Sequence, residues 1–162
     1  MLDKKNLQNQ WSSVMSTYSQ LLYHIVFSTF NRSATLHEDG RPELFAYIWG
    51  ILKNKKCHLY RINGMEDHLH IFTHIPTSIS VASLVKDIKL GSSKMIKHNN
   101  LFEKFNGWQE GYGAFTVGHS TRNTLIDYVK NQQEHHRIID FIDEYKKILE
   151  ENGIQYNEKY LS

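Results

Sequence analysis

The sequence predicts an α+β fold, one antiparallel sheet with helices packed on it, in the split β-α-β arrangement. Three observations carry that expectation. Short runs dense in β-branched and aromatic residues recur at 23–30, 57–62, 67–74 and 112–117. Apolar residues fall at helical spacing over 42–54, 81–98, the segment around Tyr128, and 140–151. The resulting order, strand, helix, strand, strand, helix, strand, helix, suits a sheet whose strands return through helical crossovers.

Residues 1–14 are amide-rich and without periodicity, which marks a loose N-terminal extension before a single domain over 15–162. The run from Tyr23 through Phe30 reads as a first strand ending at Asn31-Arg32-Ser33. Asp39-Gly40-Arg41 breaks the chain, and Pro42, with its fixed φ and missing N–H, suits the first turn of a helix reaching Asn54. A second strand over 57–62, an Asn63-Gly64 turn and a third strand over 67–74 form a hairpin. Pro76 and the serines at 78 and 80 precede a long amphipathic helix over 81–98. Leu84, Val85, Ile88, Met95 and Ile96 gather on its inner side, and Lys86, Lys89, Lys94 and Lys97 spread across the other. A fourth strand covers 112–117, and Ser120 or Thr121 caps the helix that carries Tyr128. The last helix, 140–151, turns Ile142, Tyr145, Ile148 and Leu149 inward.

The chain of 162 residues suits one domain with a sizeable core, and 40% hydrophobic with 22% charged residues is ordinary for a globular protein. A net charge of +2 does not by itself argue for nucleic acid; the distribution of charge matters more. The single cysteine, Cys57, excludes an internal disulfide and a multi-thiolate zinc site and fits a cytoplasmic location. No secretory signal or membrane-spanning run is evident, so no membrane partner is expected.

The chemistry lies in two short segments. Side chains alternate along a strand, so His68 and His70 face the same way with Cα atoms about 7 Å apart, able to converge on one cation. Residues four apart share a helix face, so Tyr128 points with Gln132. Val129 and Ile126 place the apolar stripe beside Tyr128, which leaves the tyrosine, Gln132 and His135 near a polar edge. Strand histidines are ordinarily solvated or hydrogen-bonded, and a tyrosine on such a helix ordinarily packs. Together, two imidazoles, an amide oxygen and a phenol make a metal site with open positions beside a nucleophile. Without thiolates it suits Mg²⁺ or Mn²⁺ better than a closed structural zinc. The phenol, with an ordinary pKa near 10, needs help to attack a phosphodiester. Four lysines on a helix back are ordinarily a solvated surface; beside these motifs, Lys86, Lys89, Lys94 and Lys97 become candidates for DNA phosphates.

Over roughly 15–161 the chain resembles the small single-tyrosine HUH transposases of bacterial insertion sequences, the REP-associated tyrosine transposases among them. His68-Leu69-His70 is similar to the histidine-hydrophobe-histidine motif. Tyr23-His24-Ile25-Val26-Phe27-Ser28-Thr29, Gly111-Tyr112-Gly113-Ala114-Phe115, Tyr128-Val129-Lys130-Asn131-Gln132 and Glu134-His135-His136 stand in the order that family shows. The resemblance implies a ferredoxin-like (RRM-like) HUH nuclease fold, with a divalent ion on His68, His70 and Gln132. It also implies that Tyr128 becomes joined to a 5′ phosphate and a 3′ hydroxyl is released, so that single-stranded DNA can be cut and rejoined to move an insertion sequence. It further implies hairpins at the element ends as partners, and a homodimer in which the tyrosine helix can serve the partner's metal site. Tyr112 and Phe115 are possible base-stacking residues, with core packing the stronger reading for Phe115.

Three other readings remain open at the level of sequence. A replication initiator or relaxase uses the same histidine pair with tyrosine but carries further domains. A domesticated transposase would bind DNA hairpins without cutting. A metal-dependent hydrolase would use the histidines to activate water and would survive loss of Tyr128.

Overall fold

The computed structural model describes residues 18–161, and the expected loose extension over 1–14 lies outside the described residues. Four strands, β1 (Leu22–Ser28), β2 (His58–Gly64), β3 (His68–His74) and β4 (Gly113–Thr116), form one antiparallel sheet in the order β2-β3-β1-β4. The helices are α1 (Arg41–Asn54), α2 (Val81–Asn99), α3 (Arg122–Lys130), α4 (Gln132–His135) and α5 (Phe141–Glu151). This is the expected α+β split β-α-β architecture, with a helix joining β1 to β2 and another joining β3 to β4.

The register of the two central strands separates two layers. Ile25 pairs with Ile71 and Phe27 with Leu69, so these four share one face. There they meet Leu44, Ile48 and Leu52 of α1 and Leu84, Val85, Ile88 and Ile96 of α2 in the main core. Fully burying each such side chain is worth about 1.5–3 kcal/mol. His24 pairs with Phe72, Val26 with His70 and Ser28 with His68, and these face the other way. On that side Val26 and Phe115 pack with Ile148 and Leu149 of α5.

Three local expectations change. Asn63 and Gly64 do not make the hairpin turn; they end β2, and the chain turns over 65–67. Gly64 is required there because a Cβ would stand 2.2 Å from the His68 carbonyl oxygen. Asn63 instead turns its side chain across the sheet, donating from Nδ2 to the Lys130 carbonyl at 2.9 Å. The helix carrying Tyr128 is also shorter than its spacing suggests. It ends at Lys130, and Asn131, with φ −96° and ψ 24°, separates it from α4. Thr121 occupies the N-cap position of α3 without a side-chain cap bond, and its hydroxyl donates to the Gly118 carbonyl instead. Among the described residues no helix is long and apolar enough to cross a membrane.

Candidate metal and tyrosine site

β3 places His68 and His70 side by side on the face away from α1 and α2, and both are fully buried. Each ring is held through Nδ1. The His68 Nδ1 lies 2.6 Å from Asp67 Oδ1, and the His70 Nδ1 lies 2.9 Å from Nε2 of His24 on β1. Asp67 is an acceptor, so it fixes the His68 proton on Nδ1 and leaves Nε2 as a lone pair. Burial drives His70 down to about 4 and His24 down to about 3, so both imidazoles are neutral at physiological pH. A neutral imidazole is the form that ligates a metal.

Tyr128 on α3 and Gln132 at the start of α4 reach the same place despite the break between their helices. Gln132 is wholly buried, which corrects the expectation of a polar edge. Its Nε2 donates to Glu144 Oε1 at 3.2 Å and approaches the Tyr128 carbonyl at 3.4 Å. The Tyr128 hydroxyl donates to the same Glu144 oxygen. Both residues are therefore organised around a carboxylate that the sequence reading did not single out.

Glu144 projects from α5 and is 1% exposed. Its Oε2 accepts from His136 Nε2 at 2.9 Å and lies 3.4 Å from His70 Nε2 and 3.7 Å from His68 Nε2. Burial pushes this carboxyl up, but the His136 hydrogen bond, together with His70 and Tyr128, outweighs it and holds Glu144 well below the usual carboxylate range. Burial opposes the charge on His136, yet Glu144 raises that imidazole above its ordinary value. Burial first, and then the charge of Glu144, hold the Tyr128 phenol far above its ordinary value, so it remains protonated.

Some buried polar atoms of these residues are left without partners. His68 Nε2, His70 Nε2 and Gln132 Oε1 are all buried without a hydrogen-bond partner. An unpaired buried polar atom costs about 1–3 kcal/mol, and here three fall on the three residues expected to hold a cation. Ligand atoms of His68, His70, His136 and Glu144 also lie within 4.8 Å of one another. The residues present therefore fit a divalent ion. Tyr128 and Glu144 also line a cleft of about 450 Å³ with His24, Phe115, Thr124 and Lys147.

The other sequence candidates separate from this pocket. α2 packs on the opposite face of the sheet, so its lysines belong to the far layer. Lys86, Lys94 and Lys97 are exposed there. Lys89 is not: its Nζ donates to the carbonyls of Gln109, at 2.8 Å, and Gly111, and stands 5.3 Å from the Phe27 ring centre. Phe115 is core, whereas Tyr112 is 39% exposed. Sequence reasoning missed Glu144 and the support from His24. The available signal was an acid on the inner side of α5, four residues before the buried Ile148.

A histidine pair on a central strand of a split β-α-β sheet, beside a half-buried tyrosine, fits the HUH class of fold. The family model "Transposase IS200 like" matches residues 17–132, and the chain belongs to that family, whose members cut and transfer DNA. The transposases for insertion sequence element IS200 of Salmonella typhimurium and Salmonella typhi are each 29% identical to it over 117 residues, covering 69% of this chain and 76% of theirs. Two solved structures share the fold. A REP-associated tyrosine transposase bound to a REP hairpin superposes with a TM-score of 0.58 at 15% identity, covering 77% of this chain and 74% of that one. A crystal structure from Deinococcus radiodurans R1 assigned to the transposases gives 0.54 at 21% identity, covering 75% and 97%.

Proposed function

We propose that this transposase cuts and rejoins single-stranded DNA through Tyr128, with Mg²⁺ or Mn²⁺ held by His68, His70 and Gln132. The observation that carries the reading is the coincidence of three unpartnered ligand atoms with a tyrosine hydroxyl on one buried carboxylate. The Tyr128 oxygen forms a bond to phosphorus while the bond to the 3′ oxygen breaks. The phenol loses its proton, the 3′ oxygen gains one, and the strand is left as a 5′-phosphotyrosine and a 3′ hydroxyl. Attack by another 3′ hydroxyl reverses the step, so rejoining needs no ATP. When bound, a divalent cation supplies positive charge that polarises the phosphate and favours the ionised phenol. The chain's own part is positional. Asp67 and His24 fix the imidazoles, Asn63 anchors the end of α3, and Glu144 orients the phenol at the lining of the cleft.

The substrate proposed is the hairpin-bearing end of an insertion sequence, and its movement in the cytoplasm is the biological outcome. The bound hairpin of the REP-associated relative supports this choice. Lys86, Lys94 and Lys97 would contact phosphates of the hairpin away from the cleavage site, on the layer opposite the histidines. A homodimer is part of the proposal, although a single chain already brings Tyr128 within reach of its own histidine pair, with 6.0 Å between the Tyr128 and His70 ring centres.

The test incubates labelled single-stranded DNA carrying the element's end with protein in Mn²⁺ or EDTA, followed by denaturing electrophoresis. A covalent adduct that requires Mn²⁺ and is absent in Tyr128→Phe is expected. Cleavage that persists in Tyr128→Phe would make water the nucleophile, and tight hairpin binding with no cleavage would make this a non-catalytic binder. Light scattering with and without the hairpin tests the dimer; a monomer in both conditions would remove it.

A further inference from the structure

We propose that Glu144 is a fourth protein ligand of the divalent cation, binding through the oxygen that faces the histidines while its other oxygen holds the Tyr128 hydroxyl. The inference rests on the metal reading above and extends it to α5, beyond residue 132 where the family match ends.

The two carboxylate oxygens do different things. Oε1 receives the Tyr128 hydroxyl and the Gln132 amide and stands 3.6 Å from His135 Nε2. Oε2 faces the three imidazoles of His68, His70 and His136 at 3.7, 3.4 and 2.9 Å. Only the last is a hydrogen bond; Nε2 of both His68 and His70 is without a partner. Two atoms each about 2.1 Å from one ion stand roughly 3.0 Å apart at a right angle and roughly 3.4 Å apart at the tetrahedral angle. The separations from Oε2 to His70 and His68 therefore suit neighbours around a shared cation better than donor and acceptor. A buried carboxylate also supplies a negative charge that imidazole and amide ligands lack, and such a site favours a hard divalent ion.

His136 is a positioning residue in this arrangement, because its hydrogen bond aims Oε2. The Phe141 ring stacked on His68 at 4.1 Å fixes α5 against β3, so the carboxylate is delivered by helix packing rather than by a loop. One side chain then joins metal and nucleophile. A cation seated between β3 and α5 sets the place of the phenol through the opposite oxygen of the same group.

The test is calorimetric titration of the full chain with Mn²⁺ alone, without DNA, for the wild type, Glu144→Gln and His70→Ala. Glu144→Gln keeps shape and a hydrogen-bond acceptor for Tyr128 but removes the charge. A loss of Mn²⁺ affinity of tenfold or more is expected, with an unchanged far-ultraviolet spectrum showing that the fold survives. Affinity within twofold of wild type in Glu144→Gln, with His70→Ala abolishing binding, would overturn the role of Glu144 and leave the histidine site standing. No Mn²⁺ binding by the wild type would overturn both. Should Glu144→Gln fail to fold, Glu144→Asp serves instead: it keeps the charge with a shorter reach, and wild-type affinity there would equally count against ligation.

Discussion

The two faces of the sheet are built from the same strands, one residue out of step, and they are chemically opposite. On β1 and β3 the odd-numbered Ile25, Phe27, Leu69 and Ile71 meet α1 and α2 in an apolar core. The even-numbered His24, His68 and His70 meet α3, α4 and α5 around a buried carboxylate. The first face contributes stability through burial of apolar area. The second gives up some of it, because desolvated polar groups cost free energy unless every one is paired, and His68 Nε2, His70 Nε2 and Gln132 Oε1 are not. A period of two thus lets one strand serve stability with one face and chemistry with the other.

The largest effect that sharpens this division is expected at Ile71. Ile71→Ala leaves a cavity in the face that carries no chemistry and should cost about 2–5 kcal/mol of unfolding free energy in urea denaturation. The yield of covalent DNA adduct per folded molecule should stay at the wild-type level. A yield that falls along with stability would mean that the two faces do not act separately.

A smaller effect is expected at Asn63, which links the end of β2 to the end of the tyrosine helix. Asn63→Ala removes a hydrogen bond to the Lys130 carbonyl and should cost about 1 kcal/mol. Because that carbonyl lies two residues after Tyr128, single-turnover cleavage should slow while hairpin affinity is retained. A drop in affinity with an unchanged cleavage rate would place Asn63 in DNA recognition instead.

Most of the apolar face was legible in sequence, because burial writes a period into the chain. Leu84, Val85, Ile88, Met95 and Ile96 of α2 are the inner side that the spacing predicts, and all are buried. The alternation of His68 with Leu69 likewise placed both histidines on one side. The polar face was legible only in part. Tyr128 and Gln132 do converge, but through a helix break at Asn131 that a spacing of four cannot reveal. Asn63-Gly64 looks like a hairpin turn, whereas Gly64 answers a close approach to the His68 carbonyl and Asn63 a partner 67 positions away. Glu144 was hidden for a related reason. Its place on the inner side with Ile148 is visible in the spacing, but the partners that make burial of an acid tolerable are distant in sequence.

The smallest effects concern the lysines of α2, which the structure divides into two kinds. Lys86, Lys94 and Lys97 are exposed on the apolar side's outer surface, and replacing any one with alanine should lower the slope of log affinity against log salt for the hairpin by about one. An unchanged slope in all three would remove this face from DNA binding. Lys89 should behave otherwise, since its ammonium is already engaged with the carbonyls of Gln109 and Gly111. Burial lowers its pKa from 10.5 to about 8, with the charge of Glu110 opposing the shift. Between those two values the unfolded chain binds the extra proton and the folded one does not, so this group's contribution to stability rises with pH from about 8 towards 10.5. Denaturation midpoints should therefore gain on Lys89→Met as pH goes from 7.5 to 10, the gain being moderated because the side chain is only half-buried. A constant difference between the two proteins across that range would show that Lys89 keeps its proton throughout. It would then return Lys89 to the same charged surface as the other three.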